Sequence, residues 1–167
     1  VALKECGLVD VSAGFGDIPG IPPGTMFASR DEVRRAGLHR HGMRGISSTE
    51  DVGAHAIVIS GGYPDDEDHG DWFIYTGEGG RDPNTKQQIA DQTLKSGNQG
   101  LVWSFEKQLP VRVIRGSGGD PKYSPPNGYR YDGLYLITRH WTHRAEDGFL
   151  RFHFQFERDT LDDAPVS

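Results

Sequence analysis

The sequence contains a single cysteine, Cys6, and no apolar run long enough to cross a bilayer. One thiol cannot close an internal disulfide and has no second thiol with which to share a zinc ion. A disulfide scaffold and a zinc finger are both unsupported, and an intracellular setting is expected. A spanning helix needs about 20 consecutive apolar residues, and the first 25 residues carry neither the basic segment nor the apolar stretch of a secretory leader. No membrane partner is expected. Positive charge is also short: 18 Lys and Arg stand against 24 Asp and Glu, a formal net charge of −6. Strong non-specific nucleic-acid binding comes chiefly from Lys and Arg neutralising phosphates, so this balance weighs against it. Long helices are disfavoured by the 23 Gly and 10 Pro that punctuate 167 residues.

What is present suggests one compact domain, mainly β with many turns. An irregular lead-in over residues 1–17 precedes a domain over 18–160, and residues 161–167 read as a frayed tail. Strand candidates are residues 25–27, 54–60, 71–76, 110–116, 131–141 and 149–158. In the last of these Leu150, Phe152, Phe154 and Phe156 share one face and Arg151, His153, Gln155 and Glu157 the other. Ser29 followed by Asp31 and Glu32 reads as the capped start of a short helix over 30–36, stopped at Gly37. Further helices are expected over 87–94 and 101–107, whereas the glycine-punctuated 39–53 reads as loop. Five or six strands with two or three short helices point to an α+β, mainly β class, a curled sheet or curved barrel with helices packed outside it.

Charge is unevenly spread. Five Arg face three acids between Ala28 and Glu50, and seven basic residues face four acids between Arg81 and Lys122. Tyr63 to Glu78 instead holds six acids and no Lys or Arg. A molecule gripping a polyanion on one side fits this pattern, as does scattered, solvated charge.

No catalytic constellation emerges. Asp65, Asp66, Glu67, Asp68 and His69 offer possible metal ligands. Adjacent residues on an extended chain point to opposite sides, however, so a solvated acidic turn is the simpler reading, with no metal or cofactor. His39 and His41 stand near the Arg cluster, and a phosphate-facing or simply exposed pair fits as well as a metal or base role. No nucleophile elbow, P-loop, G-x-G-x-x-G or H-E-x-x-H occurs. The block from Ser60 to Asp82, SGGYPDDEDHGDWFIYTGEGGRD, is the distinctive one. Tyr63 and Tyr75 lie at the ends of neighbouring strand candidates, flanked by glycines that let backbone approach a flat ligand. Two phenols over glycine suit an aromatic base. Tyrosines beside turns are also commonly half-buried structural residues, so the pair alone leaves both readings open.

From about Ile18 to Asp159 the chain resembles the SRA (SET- and RING-associated, or YDG) family. The strings carrying the resemblance are IPGIPPGTMF, GLHRHGMRGI, the Ser60–Asp82 block, PVRVIRG, KYSPPNGYRYDGLYLI and GFLRFHFQFERD. The resemblance implies an SRA-type, PUA-like curved barrel that holds double-stranded DNA and flips a 5-methylcytosine into a pocket. By that likeness Tyr63 and Tyr75 sandwich the base, Asp66 accepts the exocyclic amine and Thr76 completes the polar contacts. Ser60, Gly61, Gly62, Gly77 and Glu78 line the pocket with backbone. Two stacking contacts at about 1–3 kcal/mol each can offset the few kcal/mol needed to extrude one nucleotide. Burying one methyl gives only about 0.8 kcal/mol, so selection against plain cytosine requires close packing as well.

The HGMRGI loop matches the family's thumb, where Met43 or Arg44 would fill the vacated stack, a Met buried under the loop being the alternative. Asn84, Thr85, Lys86, Gln87 and Gln88 match the finger. Eukaryotic members carry Asn-Lys-Arg there, and the Lys86-Gln87-Gln88 found here argues against a strict hemimethyl preference. Arg30, Arg40, His41 and Arg81 are candidates for the DNA backbone. Tyr131-Asp132-Gly133 is expected to serve the fold. The likeness implies a non-catalytic reader of 5-methylcytosine, with 5-hydroxymethylcytosine also open. Its effector is expected outside the chain, as a chromatin-type neighbour or an HNH-type nuclease of modification-dependent restriction.

Overall fold

The computed structural model describes residues 14–160; the early lead-in and the expected frayed tail lie outside the described residues. In chain order the elements are β1 (Met26–Phe27), α1 (Arg30–Arg35), β2 (Ile46–Thr49), β3 (Gly53–Ile59), β4 (Glu67–Asp68), β5 (Trp72–Thr76), α2 (Ser96–Lys107), β6 (Val111–Gly116), β7 (Tyr129–Arg144) and β8 (Leu150–Arg158). They build one sheet in the order β2-β3-β6-β7-β8-β5-β4, with β1 beside β7. The class is the α+β, mainly β one read from the sequence. The hydrogen-bonded path is open, however, rather than closed into a barrel. No described helix is long and apolar enough to cross a membrane.

The sheet is apolar on both faces, and two cores result. One gathers Ile57, Ile59, Phe73, Val113, Tyr135 and Phe156 under Leu101 of α2. The other places Ala56, Val58, Ile114 and Tyr131 under Val33 of α1. Strand β3 serves both cores, which explains its continuous AHAIVI run. Helix α1 begins as its sequence requires, with Ser29 Oγ accepting the Glu32 N–H at 3.2 Å.

Three sequence expectations are corrected. Residues 87–94 are not helical. Gln88 Nε2 donates to the Gly79 and Ala90 carbonyls, and Gln92 bridges the Gly77 carbonyl and the Phe152 N–H. The backbone amides likewise go elsewhere than to i−4, Ile89 and Ala90 donating to the Gly80 carbonyl and Gln92 to the Leu150 carbonyl. Residues 46–49, expected as loop, form β2 against β3. Ile46 is buried there, but Ser-Ser-Thr offers no apolar period to reveal a strand. On β8, Phe154 and Phe156 are buried as expected, yet Arg151 and His153 on the opposite face are buried too. Trp141 stacks on His153 at 5.5 Å, and Arg151 pairs with Asp147 at 2.6 Å.

Side chains bridge the seam that the open sheet leaves between its β2–β3 and β4–β5 ends. The Tyr75 hydroxyl on β5 donates to the Val58 carbonyl on β3 at 3.2 Å. Arg115 on β6 donates to both carboxylate oxygens of Asp68 on β4 at 2.8 Å. Arg115 also donates to Asp132 at 2.9 Å and to the Gly70 carbonyl at 2.9 Å. Asp132 accepts from Arg130 as well, which in turn donates to the Tyr123 carbonyl. The aspartate of the YDG string therefore serves the fold, as the anchor of a buried cation.

Candidate nucleic-acid interface

The seam holds the residues that the sequence singles out. Strand β3 ends at Ile59 and delivers Ser60, Gly61 and Gly62 to it, and β5 delivers Tyr75, Thr76, Gly77 and Glu78 from the other side. The segment between folds over the gap. A cavity of about 320 Å³ lies there, lined by Ile59, Gly61, Tyr63, Asp66, His69 and Asp120 among others, at the small end of the usual ligand-site range of about 300–1,000 Å³.

Asp66 sits at the edge of this cavity. Its Oδ1 accepts the Thr76 N–H at 2.8 Å, tying the 63–68 segment to β5. Burial raises its carboxyl to about 6, against the opposing effect of the Thr76 hydroxyl and amide. The Thr76 hydroxyl is itself buried without a well-aligned partner. Tyr63 is half-buried, and the Arg81 guanidinium lies 4.5 Å from its ring centroid. Arg81 Nε donates to the Lys86 carbonyl at 2.8 Å, so the stacked cation couples Tyr63 to the finger.

Tyr75 is placed differently from Tyr63. It is 6% exposed, belongs to the main core and meets Phe156 edge-on at 5.9 Å. It does not line the cavity, which it adjoins through Thr76 and Asp66. Its hydroxyl approaches Gly45 so closely that a Cβ there would lie 2.6 Å from it. Only glycine at position 45 lets the thumb loop reach the ring. Gly61 is constrained in two ways: its φ is +77°, and an added Cβ would collide with the Gly118 carbonyl. Gly61→Ala is expected to cost on the order of 2 kcal/mol, read as a lowered urea midpoint; an unchanged midpoint would show that the 117–124 loop yields freely.

The thumb is held from beneath. Arg30 Nη2 donates to the His41 carbonyl at 2.8 Å and to the Arg44 carbonyl at 2.6 Å, and its Nη1 donates to the Met43 carbonyl at 3.3 Å. That guanidinium organises the loop. Buried His39 accepts the His41 N–H on Nδ1 and donates from Nε2 to the Gly45 carbonyl. Met43 stands 89% exposed at the tip, while Arg44 pairs with Glu78 on the pocket rim at 2.5 Å. Arg40 is exposed and His41 partly so. In the finger, Asp82 Oδ1 accepts the Asn84 and Thr85 amides, Lys86 has φ +65°, and the Gln88 amide group is turned onto its own loop.

Sequence reading overlooked Gly45, Gln92 and Asn98, and it took His39 as phosphate-facing or exposed where the structure buries it beneath the thumb. Asn98 accepts from the Glu78 N–H and donates to the Glu78 carbonyl, both at 2.8 Å, fixing the pocket rim to α2. The only local hint was the position of His39 and Gly45 at either end of the HRHGMRG string; the partners of Gln92 and Asn98 are distant in sequence.

Comparisons with known proteins identify the family. The SAD/SRA domain family matches residues 14–161. The E3 ubiquitin-protein ligase UHRF1 of Bos taurus is 40% identical over 183 residues, covering 97% of this chain and 23% of that protein. The chain thus spans about a quarter of the length of that relative. Among solved structures, the modification-dependent TagI restriction endonuclease superposes with a TM-score of 0.85 at 52% identity, covering 91% of this chain and 57% of that one. The SUVH5 SRA domain in complex with methylated CHH DNA gives 0.73 at 39% identity, covering 87% and 93%. With the family match spanning all the described residues, the chain belongs to the SAD/SRA domain family.

Proposed function

We propose that this chain reads modified cytosine in double-stranded DNA by drawing the base into the seam. The observation that carries this reading is the convergence of Tyr63, Asp66 and Gly61 on one cavity, with the Thr76 amide fixed to Asp66. It gains weight from the SUVH5 SRA complex with methylated DNA. Tyr63, on a loop under Arg81, is the wall that stacks on the base, and Tyr75, enclosed in the core and absent from the cavity lining, becomes the second wall when the incoming base uncovers its ring. Asp66 meets the cytosine edge. Met43 and Arg44 enter the vacated stack, while Arg40, His41 and Arg81 face phosphates. With the Gln88 amide turned inward, the finger does not read the opposite strand, so hemimethylated and fully methylated duplexes bind alike.

The chain contributes recognition, and chemistry is supplied from elsewhere. Two acids of the 65–68 turn are already committed, Asp66 to Thr76 and Asp68 to Arg115. The 52% identity with TagI favours a modification-dependent endonuclease as the parent assembly. Incubation with methylated DNA and Mg²⁺ is expected to leave the DNA intact; cleavage by the chain alone would place the chemistry here.

The test is a binding panel of unmodified, hemimethylated, fully methylated and hydroxymethylated duplexes at fixed salt. Removing a stacking wall costs about 1–3 kcal/mol, and each 1.4 kcal/mol is tenfold in affinity. Tyr63→Ala and Asp66→Ala are each expected to weaken binding to methylated duplexes by about 10- to 100-fold and to leave unmodified duplexes unchanged. Equal affinity of wild type and Asp66→Ala for both duplexes would dismiss the pocket.

A further inference from the structure

We propose, resting on the reading above, that Asp66 engages the flipped cytosine as a neutral acid, so that binding takes up one proton, held between Asp66 Oδ2 and cytosine N3. The cytosine edge presents an amine donor at N4 beside a lone-pair acceptor at N3. An ionised carboxylate only accepts. It would satisfy N4 and set an oxygen lone pair against N3 in a pocket from which water is excluded, where an unmade hydrogen bond is costly. A neutral carboxyl carries one donor and one acceptor and matches both atoms.

The surroundings of Asp66 favour that form. Among the described residues no cation is hydrogen-bonded or ion-paired to it. Arg81 lies over Tyr63, Arg115 is spent on Asp68 and Asp132, Arg151 pairs with Asp147, and His153 stands 3.8 Å from Asp65 rather than beside Asp66. Acids are close: Asp65 is adjacent in the chain, and Glu67, Asp68 and Asp120 share the cavity with His69. Tyr75 approaches from β5. Burial already lifts the free carboxyl to about 6, and covering it with a base removes more water.

The Thr76 amide also decides which oxygen carries the proton. Its N–H points at Oδ1 at 2.8 Å, which makes Oδ1 the acceptor and leaves Oδ2 to be protonated. Oδ1 then faces the cytosine amine and Oδ2–H faces N3. Thymine offers the reverse pair, N3–H and O4, and would need the proton on Oδ1, where the Thr76 amide already points. Discrimination between the two pyrimidines thus comes from one backbone N–H acting through one side chain. No bond other than hydrogen bonds forms or breaks, and the proton comes from solvent.

Two measurements test this. Titration calorimetry of the wild-type chain with a methylated duplex near pH 7.5, in phosphate and in Tris, which differ in ionisation heat, is expected to show uptake of about one proton. The ratio of methylated to unmodified affinity is expected to fall about tenfold per pH unit above pH 7. Asp66→Asn, whose amide has a permanent donor and acceptor, is expected to lose both the proton uptake and the slope. A contribution from His41 persists in that variant and is read off by difference. A wild-type ratio that is flat or rises with pH, without proton uptake, would show that the ionised carboxylate binds and overturn the inference. No preference for the methylated duplex at any pH would instead overturn the pocket reading beneath it, so the two failures are distinguishable.

Discussion

Arg115→Met is expected to cost about 3–5 kcal/mol, the usual consequence of stranding buried charges by removing their partner. The Arg115 side chain is 2% exposed, and its carboxylate partners Asp68 and Asp132 are 6% and 9% exposed. Neither acid has water to turn to. Domains of this size are stable by only about 5–15 kcal/mol, so the loss is a large fraction of the total. The damage reaches the site, because Asp68 follows the 63–66 segment directly and Arg115 is the clamp that holds β4 across the seam. Urea unfolding followed by tryptophan fluorescence checks this. A midpoint equal to wild type would mean that Arg130 neutralises Asp132 and solvent reaches Asp68. Arg115→Lys keeps the charge but loses the fork that spans both oxygens of Asp68, and is expected to fall between the two.

The second large effect is loss of stability in mild acid. Burial first, and the charges of Arg30 and His41 next, push His39 down to about 4. Burial, followed by Arg40 and Arg112, pushes His55 down to about 3. An unfolded histidine titrates near 6.5, so below that pH the unfolded chain binds protons that the native protein refuses. Stability therefore falls from about pH 6.5 until the folded values are reached, by on the order of 3 kcal/mol for His39 and somewhat more for His55. Asp66 acts in the opposite sense. Its carboxyl is raised to about 6, so protonation between 6 and the ordinary carboxylate range stabilises the fold and offsets part of the loss. Urea unfolding at pH 7 and pH 4.5 is expected to show a net fall, steeper in Asp66→Asn and shallower in His39→Gln. Identical stability at both pH values, with His39→Gln no different, would contradict it. The functional consequence is local: a protonated His39 can no longer accept the His41 N–H, which ties down the thumb.

The parts of this molecule that were legible in the sequence are those governed by local periodicity. β3, β5, β6, β7 and β8 all lie where alternating or continuous apolar runs place them, and Ser29 announces α1. β2 was not legible, because it owes its existence to Ile46 docking in the core and to pairing with β3 rather than to its own Ser-Ser-Thr. The supposed helix over 87–94 failed for a related reason: Gln88 and Gln92 spend their amides on Gly79, Ala90, Gly77 and Phe152, contacts that helix propensity does not register. Of the cavity lining, Tyr63 stood out because glycine and tyrosine cluster in one string, whereas Asp66 read as part of a solvated acidic turn and, like the backbone at Gly61, was singled out only through the resemblance to the SRA family. Arg30 was read as facing phosphate and instead supports the thumb from beneath, a role that depends on three carbonyls brought to it by the fold.

The net charge of −6 remains compatible with a duplex reader whose affinity rests on a pocket. Several of the 18 Lys and Arg are structural: Arg112 donates to the Leu38, Gly14 and Gly16 carbonyls, and Arg115 and Arg130 serve Asp132. These three guanidinium groups are withdrawn from phosphates, so the salt dependence of binding is expected to be shallower than the total of Lys and Arg suggests, with the modified base carrying a larger share of the affinity.

The most direct test of the account is a crystal structure of the chain with a duplex carrying one 5-methylcytosine. The account predicts that base outside the helical stack, between the rings of Tyr63 and Tyr75, with its exocyclic amine on Asp66 and Met43 or Arg44 in its former place. A methylcytosine still paired within the duplex, or a Tyr75 ring still enclosed in the core with the base elsewhere, would contradict it.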